Sequence, residues 1–443
     1  MKNSLFYNGT LILIFSMILA SCQQDYSYKK NLDQAKFFQN SVDKLTDVIV
    51  HDIFSPPVAS RVYVYPCVAA YEVMAESGAY PSMAGKLDGL TASPRADTTG
   101  GISYELAAME AFLILSQQLI FSEDKIADYK SELYHEIDSI GISSNAKSNS
   151  LAYGKQIAEH IAAWADKDNY KQSRSFSKFP VTDKINEWKP TPPAYMEGIE
   201  PHWREIRTMI IDSAQQFAPQ PPTAFDVNKG SQFYNEMMEV YDAVKTADEE
   251  KKTIASFWDC NPFVMNQTGH VMFATKKITP GGHWMGITSI ASKKLNSSFA
   301  ESVRLSTVVS IALFDAFISC WDEKYRSNLI RPETVINEYV DRDWIPLLQT
   351  PPFPEHTSGH SVISTATAEV LTAMLGDNFA FEDDVEVKYG LPMRKFSSFR
   401  AASAEAAISR LYGGIHYMPA ITEGVKQGKL VGNLIKQKLI DSE

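Results

Sequence analysis

LSTVVSIALFDAFISCW, residues 305–321, is the longest predominantly apolar run beyond the N-terminal segment. Its 17 residues fall short of the roughly 20 that cross a bilayer, and it carries Asp315. Length and charge together predict a buried core helix of a globular protein, not a membrane span. Asp315 lies nine residues before Lys324, on the opposite face of an ideal helix, so it is expected to be a buried network partner and not a catalytic base.

Immediately after this run stand Lys324 and, seven residues on, Arg331-Pro332. Seven residues are about two helical turns, so an unbroken helix would project both cations from nearly one face. Pro332 disfavours helix at Arg331 and places the guanidinium at a helix end. Such a pair alone reads as a solvated basic face on an acidic protein.

Next comes PPFPEHTSGH, 351–360, leading into the helical pattern SVISTATAEV. Thr357 or Ser358 is a plausible N-cap. The backbone N–H groups of Gly359 and His360 then leave a helix N-terminus, which suits an oxyanion. His356, two residues before Ser358, reads as a polar loop residue. A third segment, Ser409-Arg410-LYGGI-His416, is interrupted by Gly413 and Gly414, where the chain is expected to bend.

Helical periodicity dominates elsewhere. Phe38, Val42, Leu45, Ile49 and Ile53 recur at spacings of 4, 3, 4 and 4, and Ser55-Pro56-Pro57 ends that pattern. Residues 104–136, 150–166, 230–247, 296–330, 360–375, 401–411 and 422–441 read as further helices. RVYVYP, 61–66, is the main strand candidate. Eight of the 22 prolines lie between residues 180 and 222, which predicts an irregular, wrapping connection. The expected fold is all-α, helical bundles in two halves, with no internal transmembrane helix. The expected organisation is an N-terminal helical region 31–180, a Pro-rich connection 181–229 and a C-terminal bundle 230–443 carrying the three segments.

The formal charge of −11 and a pI near 5.4 exclude a general electrostatic footprint for nucleic acid. At the N-terminus, Lys2, the apolar LILIFSMILA and Leu19-Ala20-Ser21-Cys22 resemble a bacterial lipoprotein signal. That resemblance implies a signal peptide over 1–21, a linker over 22–30, lipidation of Cys22 and export to the outer membrane through that lipid anchor. Cys67, Cys260 and Cys320 form no CxxC pair, so no thiolate metal cluster is expected. His283 in PGGHW lacks a metal-type partner at suitable spacing and reads as structural.

In this order, K-x6-RP, SGH and SR-x5-H resemble the superfamily of type 2 phosphatidic acid phosphatases, bacterial acid phosphatases and vanadium-dependent haloperoxidases. The membrane phosphatases need several spans. PPVASRVYVYPCVAAYE (56–72), FWDCNP (257–262), PGGHW (280–284), DAFISCWDEK (315–324) and Phe353-Pro354 extend the resemblance to the haloperoxidase branch.

That resemblance implies a vanadate cofactor, with hydrogen peroxide and halide as substrates. His416 would bind vanadate axially, while Lys324, Arg331, Ser358, Gly359 and Arg410 hold its equatorial oxygens. His360 would be the acid–base group, and Lys324 would polarise peroxide. An acid phosphatase would use the same residues on a phosphomonoester without vanadate, with His416 as nucleophile. Two positions depart from the pattern. Thr357 stands where relatives usually have proline, and Ala420 where many have the aspartate that orients the histidine. Another acceptor could substitute for that aspartate, a backbone carbonyl or Glu423 among them. An unoriented His416 would instead suit a lipoprotein that binds oxyanions or a partner without turnover.

Overall fold

The computed structural model describes residues 27–441 except 269 and 270; the expected signal segment 1–21 and Cys22 lie outside the described residues. Fifteen α-helices carry the described chain. They are α1 (Ser27–Leu32), α2 (Ala35–His51), α3 (Pro56–Glu76), α4 (Tyr104–Leu119), α5 (Glu123–Ser139), α6 (Ser144–Ala165), α7 (Tyr170–Ser173), α8 (Gln232–Lys245), α9 (Glu249–Phe257), α10 (Pro280–Leu295), α11 (Phe299–Ser327), α12 (Pro332–Tyr339), α13 (Gly359–Leu375), α14 (Phe399–Tyr412) and α15 (Met418–Ile435). Two antiparallel hairpins accompany them. One pairs β1 (Met265–Thr268) with β2 (Val271–Ala274); the other pairs β3 (Phe381–Asp383) with β4 (Arg394–Phe396). The all-α expectation holds.

RVYVYP is not a strand; it lies inside α3. Every residue from Pro56 to Met74 is buried, so the helix has no polar face and shows no 3.6-residue period. With periodicity erased, the alternating valines mimicked a strand. Pro56 and Pro57 start α3 instead of merely ending α2, because the first helical turn has no use for their missing N–H groups. The expected helix 104–136 is two, α4 and α5, parted near Ser122.

Helix α11 is the centre of the molecule. It is long and apolar enough to cross a membrane, yet 94% of its most apolar window is buried inside the protein. One apolar cluster runs from Leu32 to Leu439 and draws on both halves of the chain, with α11 at its middle. A capping box at Ser298 and Glu301 starts this helix, and Asn328 in the left-handed conformation (φ 48°) ends it.

The Pro-rich connection wraps α11. Asp315, fully buried, accepts backbone N–H bonds from Met209 (2.7 Å), Ile210 (2.7 Å) and Ile211 (3.0 Å). The Ile199 carbonyl accepts from Trp321 Nε1 and Tyr325 Oη. Both expectations, a wrapping connection and a structural Asp315, are met by the same contacts. At the other side α15 presses on α13 through Gly424, Gly428 and Gly432. A Cβ at Gly428 would stand 2.3 Å from the Val362 carbonyl oxygen, so only glycine permits this approach.

Candidate active site

Lys324 sits in the last turn of α11, which stops at Ser327. The helix therefore does not carry on to Arg331, and the two cations do not share a helical face. Arg331 is instead the N-cap residue of α12, with Pro332 behind it. Chain reversal brings the pair together: Lys324 Nζ and the Arg331 guanidinium lie 5.0 and 5.1 Å from the centre of the Phe353 ring.

Lys324 is fully buried, and its Nζ donates to the carbonyls of Pro354 (3.2 Å), Glu355 (3.1 Å) and Thr357. All three donors of the ammonium thus hold the loop ahead of Ser358. These bonds anchor the loop that carries the oxyanion-facing residues. Burial pushes its pKa down to about 8.

Ser358 is the N-cap of α13: its Oγ accepts from Ser361 N–H, and its own N–H donates to the Ala420 carbonyl. Gly359 and His360 open the helix, where no carbonyl one turn earlier exists to accept their N–H groups. Thr357, in the usual proline position, bonds Gln427 through Oγ1 at 2.7 Å.

Arg410 lies in the last turn of α14 and donates from Nη1 to the Trp258 carbonyl. The chain then turns at Gly414 (φ 78°) and delivers His416. His416 Nδ1 meets Glu355 Oε1 at 2.8 Å, and the same oxygen accepts from Tyr417 N–H at 2.9 Å. Glu355 therefore does the orienting work expected of an aspartate at 420. The substitute acceptor is thus Glu355 and not Glu423, which bonds Lys426 and the Gln220 N–H. With the Nδ1 proton directed at Glu355, Nε2 presents its lone pair, which accepts from Arg331 Nη1 at 3.2 Å. Glu355 was visible in the PPFPEHTSGH stretch as a lone acid among prolines, but nothing local tied it to His416.

Gly359, His360, Arg410 and His416 line one pocket, with Phe317, Trp321, Phe353, Ile415 and four prolines forming apolar walls. None of its lining residues is acidic. Arg331 Nη2, Arg410 Nε and His360 Nε2 are buried without a protein partner among the described residues. Two arginine donors and an imidazole nitrogen left open beside His416 fit a tetrahedral oxyanion. Burial, followed by the fields of nearby cations, holds His360 and His416 well below the usual histidine range. Burial lifts Glu355 to about 7 against the opposing pull of Arg331 and Lys324.

His356 is a loop residue, but a buried one. It is 1% exposed, bonds the Gln220 carbonyl through Nε2, and is pushed down to about 4 by burial. His283 is also fully buried.

The family model of the VCPO second helical-bundle domain matches residues 304–442, the part that holds all three motifs. A solved structure described as the first bacterial vanadium-dependent iodoperoxidase is 54% identical. The match covers 92% of this chain and 97% of that one, with a TM-score of 0.87. A bacterial vanadium-dependent chloroperoxidase, solved in apo and holo forms, shares the fold at 14% identity and a TM-score of 0.65. That match covers 87% of this chain and 94% and 93% of the two chloroperoxidase chains. No curated protein sequence matches the chain. With identity of this extent over nearly its whole length, and with Gly359, His360, Arg410 and His416 lining one pocket, the chain belongs to the vanadium-dependent haloperoxidases.

Proposed function

We propose that the chain binds vanadate in this pocket and uses hydrogen peroxide to oxidise halide, iodide above all, to hypohalous acid. The observation that carries this reading is the set of unpartnered Arg331 Nη2, Arg410 Nε and His360 Nε2 beside an oriented His416. Bound vanadate supplies a Lewis acid that activates peroxide without changing its own oxidation state. His416 Nε2, kept unprotonated and aimed by Glu355, would hold the vanadate. Arg331, Arg410 and the N-terminus of α13 neutralise the oxyanion charge. His360 enters the cycle neutral, so its Nε2 is ready to take a proton from incoming peroxide. Lys324 keeps the 354–357 loop in register and adds positive field.

The apolar walls favour the halide that sheds its water most readily, which is iodide, also the halide most easily oxidised. The relative at 54% identity is itself an iodoperoxidase. The reading of a non-catalytic oxyanion binder rested on Ala420, and Glu355 removes that motive. Phosphate is near-isosteric with vanadate, so phosphomonoester hydrolysis is the second activity to assay.

The test is purified protein reconstituted with orthovanadate and supplied with peroxide and iodide. Triiodide formation that needs vanadate and disappears in His416→Ala supports the proposal. Hydrolysis of a phosphomonoester by vanadate-free protein, without halide oxidation, overturns it. We further propose export with a lipid at Cys22, on the strength of the Leu19-Ala20-Ser21-Cys22 sequence. Lipid labelling that Cys22→Ser abolishes supports this, and labelling that persists in the variant refutes it.

A further inference from the structure

Cys260, His283 and Glu386 come from three distant segments: the loop after α9, the first turn of α10, and the turn between β3 and β4. Their exposures are 1%, 0% and 5%. Cys260 Sγ lies 3.5 Å from His283 Nδ1, His283 Nδ1 lies 3.2 Å from Glu386 Oε1, and Sγ lies 3.8 Å from the same oxygen. A tetrahedral zinc ion with ordinary bond lengths separates sulfur from nitrogen by about 3.5 Å, nitrogen from oxygen by about 3.3 Å, and sulfur from oxygen by about 3.6 Å. The triangle already has the dimensions of one face of that tetrahedron.

Two further observations point the same way. His283 Nε2 meets Asp383 Oδ2 at 2.8 Å, which is the carboxylate support that metal-bound histidines ordinarily have. The cluster also packs a thiol and two buried carboxylates, Asp383 and Glu386, around one imidazole. One sulfur, one nitrogen and one carboxylate oxygen of this cluster, all buried, lie within 4.8 Å of one another.

We propose that Cys260, His283 and Glu386 form a structural site for a divalent cation of the zinc class, with Asp383 supporting the histidine. A water or the second Glu386 oxygen completes the fourth vertex. Metal entry releases the Cys260 thiol proton and the His283 Nδ1 proton to solvent, while Nε2 keeps its proton for Asp383. The site is separate from the oxyanion pocket in its ligands and tied to it in consequence. Cys260 also lines the pocket wall, and Trp258 stacks on His283 at 4.7 Å while its carbonyl holds Arg410. A metal here pins the 257–262 segment against α10 and the β3–β4 turn.

The experiment uses the full chain, untagged and free of vanadate. Elemental analysis after purification without chelators is expected to find close to one zinc per chain. Cobalt added to chelator-treated protein is expected to give the near-ultraviolet thiolate-to-cobalt absorption. Cys260→Ser should erase that band with the circular dichroism spectrum kept, Glu386→Gln should weaken binding, and His416→Ala should leave both metal content and band intact. Calorimetry with zinc in two buffers is expected to report release of two protons. Absence of bound metal, together with no cobalt band and no effect of zinc on the melting temperature, overturns the proposal. So does a cobalt band that survives in Cys260→Ser.

Discussion

Glu355 and His416, 61 residues apart, are joined by a 2.8 Å contact between Oε1 and Nδ1. It sets the tautomer of the histidine on which the oxyanion site turns. The loop acid occupies the orienting role that the sequence left open at Ala420.

Removing that acid tests the role. Glu355→Ala is expected to lower vanadate affinity by roughly 10–100-fold, the usual scale for losing such support. Glu355→Gln keeps an acceptor for His416 and Tyr417 and should retain more. Vanadate titration by calorimetry distinguishes the two; equal losses in both variants would argue against an orienting hydrogen bond.

Stability should depend on pH through the same residue. Glu355 is raised from 4.5 to about 7 in the fold, so between those values the folded chain holds a proton that the unfolded chain has lost. Its contribution therefore falls as pH rises through about 4.5 to 7. Denaturant melts across that range should show the decline, and Glu355→Gln should flatten it.

Lys324 works in the opposite sense. Its folded pKa of about 8 lies below the ordinary 10.5, so its contribution to stability rises between those values as the buried charge is shed. Oxyanion binding favours the charged form, so vanadate affinity should weaken as pH passes about 8. Binding isotherms at several pH values check this, and Lys324→Met should remove that limb.

Asp315 anchors three consecutive backbone N–H groups of the wrapping connection. Asp315→Ala leaves them buried and unpaired, at a cost on the order of 3 kcal/mol. Equilibrium unfolding measures the loss. A variant that melts like the parent would show that the connection is not held there.

Gly428→Leu should part α15 from α13, because even a Cβ there meets the Val362 carbonyl oxygen. The expected loss is about 1–3 kcal/mol of stability together with weaker vanadate binding, since the N-terminus of α13 supplies part of the site. Thermal melts with and without vanadate report both.

What the sequence determined by itself was local. The apolar run with its single Asp315 specified a buried helix, Ser358 before an apolar pattern specified an N-cap, and three spaced motifs specified the family. These depend on residues within a few turns of one another, where propensity and capping act. α3 was misread because complete burial erases the periodicity that betrays a helix. The partnership of Glu355 with His416 and the gathering of Cys260, His283 and Glu386 were decided only by tertiary packing. Their contacts span 61, 23 and 126 residues, and no backbone rule relates side chains at such separations. A buried carboxylate or thiol needs a partner, but only the packed core determines which one it meets.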